Sequence, residues 1–362
     1  MNAPLRPPES ARTAVFRAPG GPHAWIDVPL PQEAELRPGE RLVALRCATI
    51  CGSDLHTVAG RRQEPTPCVL GHEGVGVVVR AAPDQRAWLG RRVTWSSSVG
   101  CGQAGCAPCA EHDMPQKCSA VFKYGHVARD DEGALAGTYA THLLLRSGTA
   151  AFELPDVIPD TAAAPLNCAL ATMVAALEGN VPDGARTAVV QGAGLLGLFG
   201  AALLRARGVE RVLVVDVDDR RLGRVESFGG EPVMNSARGH IADRSADVVV
   251  EACGQHSVVA EGLELLRTGG VYALAGLVHP GPALEIDGED LLRRCLTLRG
   301  VHNYAPRHLR AAVDFLGQHV ASLGLEAVIR APVPLAEIDE AIQLASTGRW
   351  QRVALSMDEA VA

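Results

Sequence analysis

The stretch CGSDLH supplies a thiol, a hydroxyl, a carboxylate and an imidazole at Cys51, Ser53, Asp54 and His56, and GHE adds His72 and Glu73. Thiolate and imidazole are ligands that zinc prefers, and a catalytic zinc takes three protein ligands while keeping a fourth position open. Cys51 and His72 are natural candidates for two of the three, and Cys168, where the sequence texture changes, for the third. Asp54 has the chemistry to orient an imidazole ligand through its other nitrogen, and Glu73 sets a carboxylate beside His72. Each residue taken alone is better explained by burial in a core. Their joint placement favours a metal site.

A second group, Cys101, Cys106, Cys109 and Cys118, has the spacing C-x4-C-x2-C-x8-C. Four thiolates on such a loop can reach tetrahedral geometry around a structural zinc, with free cysteines or an adventitious disulfide as the alternative. The other six of the ten cysteines are scattered.

VVQGAGLLG closes an apolar run with Gly192, Gly194 and Gly197, the pattern G-x-G-x-x-G, and Leu195 and Leu196 begin a helix-forming stretch. Glycines there allow a tight turn and let the backbone approach a pyrophosphate seated on the first helical N–H groups. The next apolar run, RVLVVD, ends on Asp216, nineteen residues beyond Gly197, where a carboxylate can accept both ribose hydroxyls. The alternative is a Gly-rich turn in an unrelated α/β domain. A carboxylate at 216 repels the 2′-phosphate of NADP, and no Arg directly follows it, which favours NAD. Arg221 is either within reach of the adenosine ribose or a solvated helix residue.

The elements that must carry these groups fall into two textures. Before Ala150 short apolar runs (RLVALRCATI, GVGVVVR, RRVTWSSS, THLLLR) alternate with Gly and Pro, which predicts a β-rich domain with long loops. After Pro165 apolar strands bounded by Gly alternate with helical stretches, which predicts a doubly wound parallel sheet. The fold class is therefore α/β. The expected domains are 1–168, with the cysteine lobe at about 100–120, then 169–299, and a return to the first domain over 300–362.

A chain of 362 residues suits two domains. Its formal charge of −7 carries no long block of one sign, which argues against nucleic acid as a partner. The N-terminal MNAPLRPPES reads as a short disordered arm without an export signal. The most apolar stretch, Thr161 to Leu177, is broken by Pro165 and Asn167 and is too short to span a bilayer. A cytoplasmic protein acting on a small molecule is the expectation, with no membrane partner.

The combination of CGSDLH, GHE, the four-cysteine lobe, LNCALAT and GAGLLG resembles the zinc-dependent medium-chain alcohol dehydrogenase family, over about residues 13 to 356. The resemblance implies a GroES-like catalytic domain, a Rossmann domain, a cleft between them, and a homodimer or homotetramer. It makes Cys51, His72 and Cys168 the ligands of the catalytic zinc, Glu73 a carboxylate able to exchange onto the metal, and Asp54 a partner of His72. Ser53 and His56 match the protein ends of the family's proton relay. Thr172 matches a residue beside the nicotinamide, and Arg352 a cofactor-contacting Arg. The cysteine lobe departs from the family spacing C-x2-C-x2-C-x7-C, which makes its loop roomier.

The implied reaction is oxidation of an alcohol with NAD, or reduction of the matching carbonyl. Arg61 and Arg62, just past the zinc-binding turn, suggest a polar or anionic substrate held by guanidinium groups. GSDLHTVAGRR, MPQKC and VFKYGH resemble a subgroup associated with phosphonate catabolism, which points the same way. A neutral polyol or cyclitol is the alternative substrate, and a solvated surface pair the plainer account of the two arginines. A zinc-stabilised, non-catalytic binding module is the alternative from another class. The acidic balance disfavours it.

Overall fold

A computed structural model describes residues 9–129 and 133–357. Most of the expected N-terminal arm, residues 1–8, lies outside them. The chain divides into two compact units, 1–167 with 329–362, and 168–328. The return to the first unit thus begins at Ile329 rather than at the expected residue 300, because the helix Pro306–His319 packs on the helix Ala169–Leu177 of the second unit.

Among the described residues the first unit is built on a seven-stranded sheet. Its central strand, Arg41–Ile50, lies between Glu73–Ala81 and Arg352–Ser356, antiparallel to both. The register sets Thr49 opposite Glu73 and Ile50 opposite Val353. Three chemically important positions therefore meet at one sheet end: Cys51 just past Ile50, Glu73 at the start of its strand, and Arg352 just before Val353. Ile50, Trp95, Tyr139, Leu143 and Leu355 belong to the core beneath them, and burial of such side chains is the main term holding the strands in this register.

The second unit carries a six-stranded sheet among the described residues, in the order Glu231–Met234, Arg211–Asp216, Thr187–Gln191, Ala246–Glu251, Leu266–Leu274, Thr297–Gly300, with every pairing parallel. Val189, Leu213, Val249 and Tyr272 pack in its core. Between the strands Arg211–Asp216 and Glu231–Met234, where a helical stretch is expected, the chain forms only the single turn Asp219–Leu222 and a 3-10 turn at Glu226–Phe228. Gly223 and Gly229 are the C-caps of these two turns, and Asp218 caps the first by accepting from the Arg220 N–H.

No single helix among the described residues is long and apolar enough to cross a membrane. The most apolar pair, Asp160–Asn167 and Ala169–Leu177, is bent by 51°.

Candidate metal and cofactor sites

Cys51 is the N-cap of the helix Gly52–Val58, and Asp54 at its third position accepts the Cys51 N–H at 2.9 Å. A carboxylate there satisfies a backbone donor that the helix start leaves free and suits the positive end of the helix dipole. Asp54 is 1% exposed. Its Oδ2 also accepts from the Tyr139 hydroxyl at 3.0 Å, while Oδ1 faces His72 Nδ1 at 3.6 Å. Burial, and then the Asp54 charge, push the Tyr139 hydroxyl well above its usual range, so it stays a donor. With Nδ1 turned to Asp54, His72 has Nε2 for a metal.

Cys51, His72, Glu73 and Cys168 offer ligand atoms that all lie within 4.8 Å of one another. Cys168 follows directly on Asn167, whose amide donates to the carbonyls of His72 at 3.0 Å and Trp95 at 2.9 Å. Those two bonds fix the backbone that delivers the third sulfur. The donor set fits zinc: two sulfurs and an imidazole, a carboxylate for exchange, and an oriented but unbonded pair in Asp54 Oδ1 and His72 Nδ1.

Glu73 is fully buried, and the Arg352 guanidinium forks onto its two oxygens at 2.8 Å. Thr49 donates to the same carboxylate at 2.6 Å, and Arg352 Nη2 lies 3.4 Å from Cys51 Sγ. Burial pushes the Glu73 carboxyl up to about 7, with Arg352 pulling the other way. Arg352, expected at the cofactor, is thus held in this structure by Glu73.

In the cysteine lobe all four sulfurs lie within 4.8 Å of one another. Cys101 and Cys109 are separated by 3.9 Å between sulfurs and Cys106 and Cys118 by 3.7 Å. Sulfurs tetrahedrally arranged at about 2.3 Å from zinc stand about 3.8 Å apart, nearly twice a disulfide bond. The longer loop is therefore compatible with a structural zinc. The Cys101 N–H reaches Cys118 Sγ at 3.4 Å and, as the largest contribution, lowers that thiol to about 6.

Ser53 and His56 both lie on the helix Gly52–Val58. Arg61 Nε donates to His56 Nδ1 at 2.9 Å, and Arg62 Nε pairs with Glu64 at 2.6 Å. Both guanidinium groups proposed for an anionic substrate therefore have protein partners.

In the second unit Gly192 and Gly194 form the turn, and the helix Leu195–Ala206 begins directly after it. Gly197 is obligatory, because a Cβ on it would stand 1.8 Å from the Gly192 carbonyl oxygen. Asp216 ends its strand with Oδ2 accepting the Ala193 N–H at 2.7 Å and Oδ1 accepting from Val217 and Asp218 at 2.8 and 3.0 Å. Arg221 Nη1 lies 3.9 Å from Asp216. Thr172 is carried by the helix Ala169–Leu177 and Leu196 by the first turn after the glycines. The sequence reading missed Tyr139 and Thr49, which come to the site through long-range pairing, and gave no role to Asn167, although it directly precedes Cys168.

Residues 37–156 match the alcohol dehydrogenase GroES-like domain, and residues 171–348 match the glucose dehydrogenase C-terminus. The chain is 32% identical over 276 residues to a Mycobacterium tuberculosis protein named "probable zinc-binding alcohol dehydrogenase", covering 74% of this chain and 69% of that one. It is 27% identical over 358 residues to the 5-exo-hydroxycamphor dehydrogenase of Pseudomonas putida, covering 93% and 96%. The crystal structure of an alcohol dehydrogenase from Thermotoga maritima superposes with a TM-score of 0.85 at 27% identity, covering 96% of this chain and 99% of that one.

Proposed function

Because the chain belongs to the zinc-dependent medium-chain alcohol dehydrogenase family, we propose that it catalyses NAD-linked oxidation of a polar primary or secondary alcohol, or the reverse reduction. The observation that carries this reading is the convergence of Cys51, His72, Cys168 and Glu73 into one group of ligand atoms. Cys51, His72 and Cys168 hold the catalytic zinc, and Cys101, Cys106, Cys109 and Cys118 the structural one. Bound zinc supplies Lewis acidity that lowers the pKa of the alcohol.

The chain's own residues do the rest. Ser53 accepts the alcohol proton at its hydroxyl oxygen as it gives up its own, and His56, the other protein end of the relay, releases a proton to solvent. Asp54 and Tyr139 hold the His72 ring in place. Gly192 to Gly197 bind the cofactor pyrophosphate, Asp216 its adenosine ribose, and Thr172 lies beside the nicotinamide. The nicotinamide carries the hydride.

A neutral polyol is the second substrate reading, favoured by the engagement of Arg62 by Glu64 and of Arg61 by His56. An NAD-linked screen of neutral polyols and phosphorylated or phosphonylated alcohols on zinc-loaded protein tests both. Absence of turnover with every alcohol sinks the enzymatic reading and leaves the binding module.

Two outcomes follow for cofactor and proton. Asp216→Asn keeps an acceptor for the loop N–H groups but removes the charge. It should shift the ratio of catalytic efficiencies with NAD and NADP about tenfold or more toward NADP, a change of about 1.4 kcal/mol. Equal efficiency of the unaltered protein with both cofactors would refute the argument.

His56→Gln should retain zinc and slow alcohol oxidation on the order of tenfold. The loss should be greatest at low pH, where releasing a proton to solvent is hardest. Zinc loss in that variant would make His56 a ligand instead.

A further inference from the structure

The parallel sheet of the second unit reverses its strand order beside Thr187–Gln191: the next strand in the chain, Arg211–Asp216, lies on one side of it and Ala246–Glu251 on the other. At such a reversal a crevice opens at the carboxyl ends of the strands, and a dinucleotide lies across it. With the pyrophosphate on Gly192 to Gly197 and the adenosine ribose at Asp216, the other half of the cofactor extends the opposite way, over the loops 252–254 and 275–277 that follow Ala246–Glu251 and Leu266–Leu274. The first of these loops abuts the glycine turn, because a Cβ on Gly192 would stand 2.8 Å from the Cys253 Cβ.

Glu251 ties the two loops together. Its side chain is fully buried. Oε1 accepts from the Cys253 N–H at 2.8 Å and the Gly254 N–H at 2.5 Å, and Oε2 accepts from the Gly276 N–H at 2.9 Å. Its own carbonyl accepts from the Ala275 N–H at 3.0 Å. Gly254 has φ of 74°, and a Cβ on Gly276 would stand 2.6 Å from the Gly254 nitrogen and 2.7 Å from Glu251 Oε1. The loops therefore meet backbone to backbone with no room for a side chain between them. Cys253, Gly254 and Gly276 are only half-buried, so the loops keep an open face while the carboxyl group that holds them does not.

A strand end that only had to pack would be served by another apolar side chain, like the fully buried Val248, Val249 and Val250 before it. A buried carboxyl group costs desolvation, which the N–H donors of both loops offset here. What it adds over an apolar residue is a fixed spacing of the two loops, the preorganisation a binding surface needs. We propose that Glu251 is a positioning residue for the nicotinamide half of NAD, holding 252–254 and 275–277 at the spacing which that half requires without touching the cofactor itself. This inference rests on the NAD-linked reading above.

Glu251→Gln keeps the size of the side chain, but its NH2 must meet a backbone N–H whichever way the amide turns, because both oxygens of Glu251 accept from the backbone. Calorimetric titration of the zinc-loaded protein should show NADH bound about tenfold or more weakly in this variant, and ADP-ribose, which lacks the nicotinamide, within about twofold of the wild type. Gly276→Ala, which forces the loops apart from the other side, should show the same split. In the wild type, hydrogen exchange over 252–254 and 275–277 should be about threefold or more slower with NADH bound than with ADP-ribose bound.

An equal loss of NADH and ADP-ribose binding in Glu251→Gln, or no loss of either, overturns the proposal, as does loop exchange that ADP-ribose slows as much as NADH. If the variants do not fold, the exchange measurement on the wild type decides. Neither measurement needs turnover. A protein that shows the split and oxidises no alcohol loses the dehydrogenase reading and keeps this proposal, whereas one that binds no NADH loses both.

Discussion

Cys51→Ser protein, purified without chelators, should carry about one zinc ion where the unaltered chain carries about two, and should lose turnover by about a thousandfold or more. Cys51 is one of two sulfurs in the group with His72 and Cys168, and serine offers a hydroxyl that ionises far less readily than a thiol and suits zinc less well. The cysteine lobe shares no residue with that group, and its sulfur spacing stands by itself. The remaining ion should therefore stay, and the far-ultraviolet circular dichroism should be unchanged. A wild type without zinc by elemental analysis would sink the mechanism. A variant that keeps both ions would remove Cys51 from the ligand set.

What the sequence made legible was the chemistry that is local in the chain. The glycines at 192, 194 and 197 announce a turn whose steric demand is visible in three positions, and Asp216 follows one strand later. Asp54 was read as a partner of His72, and the structure adds that it also accepts the Cys51 N–H within the same helical turn. The alternation of apolar runs and glycines was likewise enough for the parallel sheet, because each buried strand is a short continuous apolar segment.

The illegible part is what strand register brings together. Thr49 meets Glu73 because the strand Arg41–Ile50 pairs antiparallel with Glu73–Ala81, and Arg352 arrives 279 positions from Glu73. Asn167 holds the carbonyls of His72 and Trp95 from 95 and 72 positions away. Arg352 was legible only through its place in the family pattern and Asn167 only as the neighbour of Cys168, and in neither case does the local sequence mark the partner that is met. The Arg61–Arg62 pair illustrates the opposite failure. Adjacent arginines near a cleft suggest a free cationic pair, but Glu64, two residues on, and His56, five residues back, engage them.

Arg352→Met should destabilise the first unit by about 1–3 kcal/mol, because it leaves a fully buried carboxyl group without its forked partner, a loss limited by protonation of a group already pushed up to about 7. The wild-type pair is forked, with Nε and Nη2 each reaching Glu73 at 2.8 Å, and its side chains are 11% and 0% exposed. Solvent therefore contributes little screening, unlike at a surface ion pair, where the same change costs at most about 1 kcal/mol. By calorimetry of the zinc-loaded protein the transition of this unit should fall by several degrees. Methionine roughly preserves the length of the arginine stem, so a cavity is a small part of the loss. The partner variant separates the contributions: Glu73→Gln in the Arg352→Met background removes the lone charge, keeps the Thr49 hydrogen bond possible, and should recover about half of the lost stability. A loss below about 1 kcal/mol in Arg352→Met would mean that the fork is no stronger than a surface pair. No recovery in the double variant would mean that the guanidinium acts through Cys51, whose sulfur it also approaches at 3.4 Å, and not through Glu73.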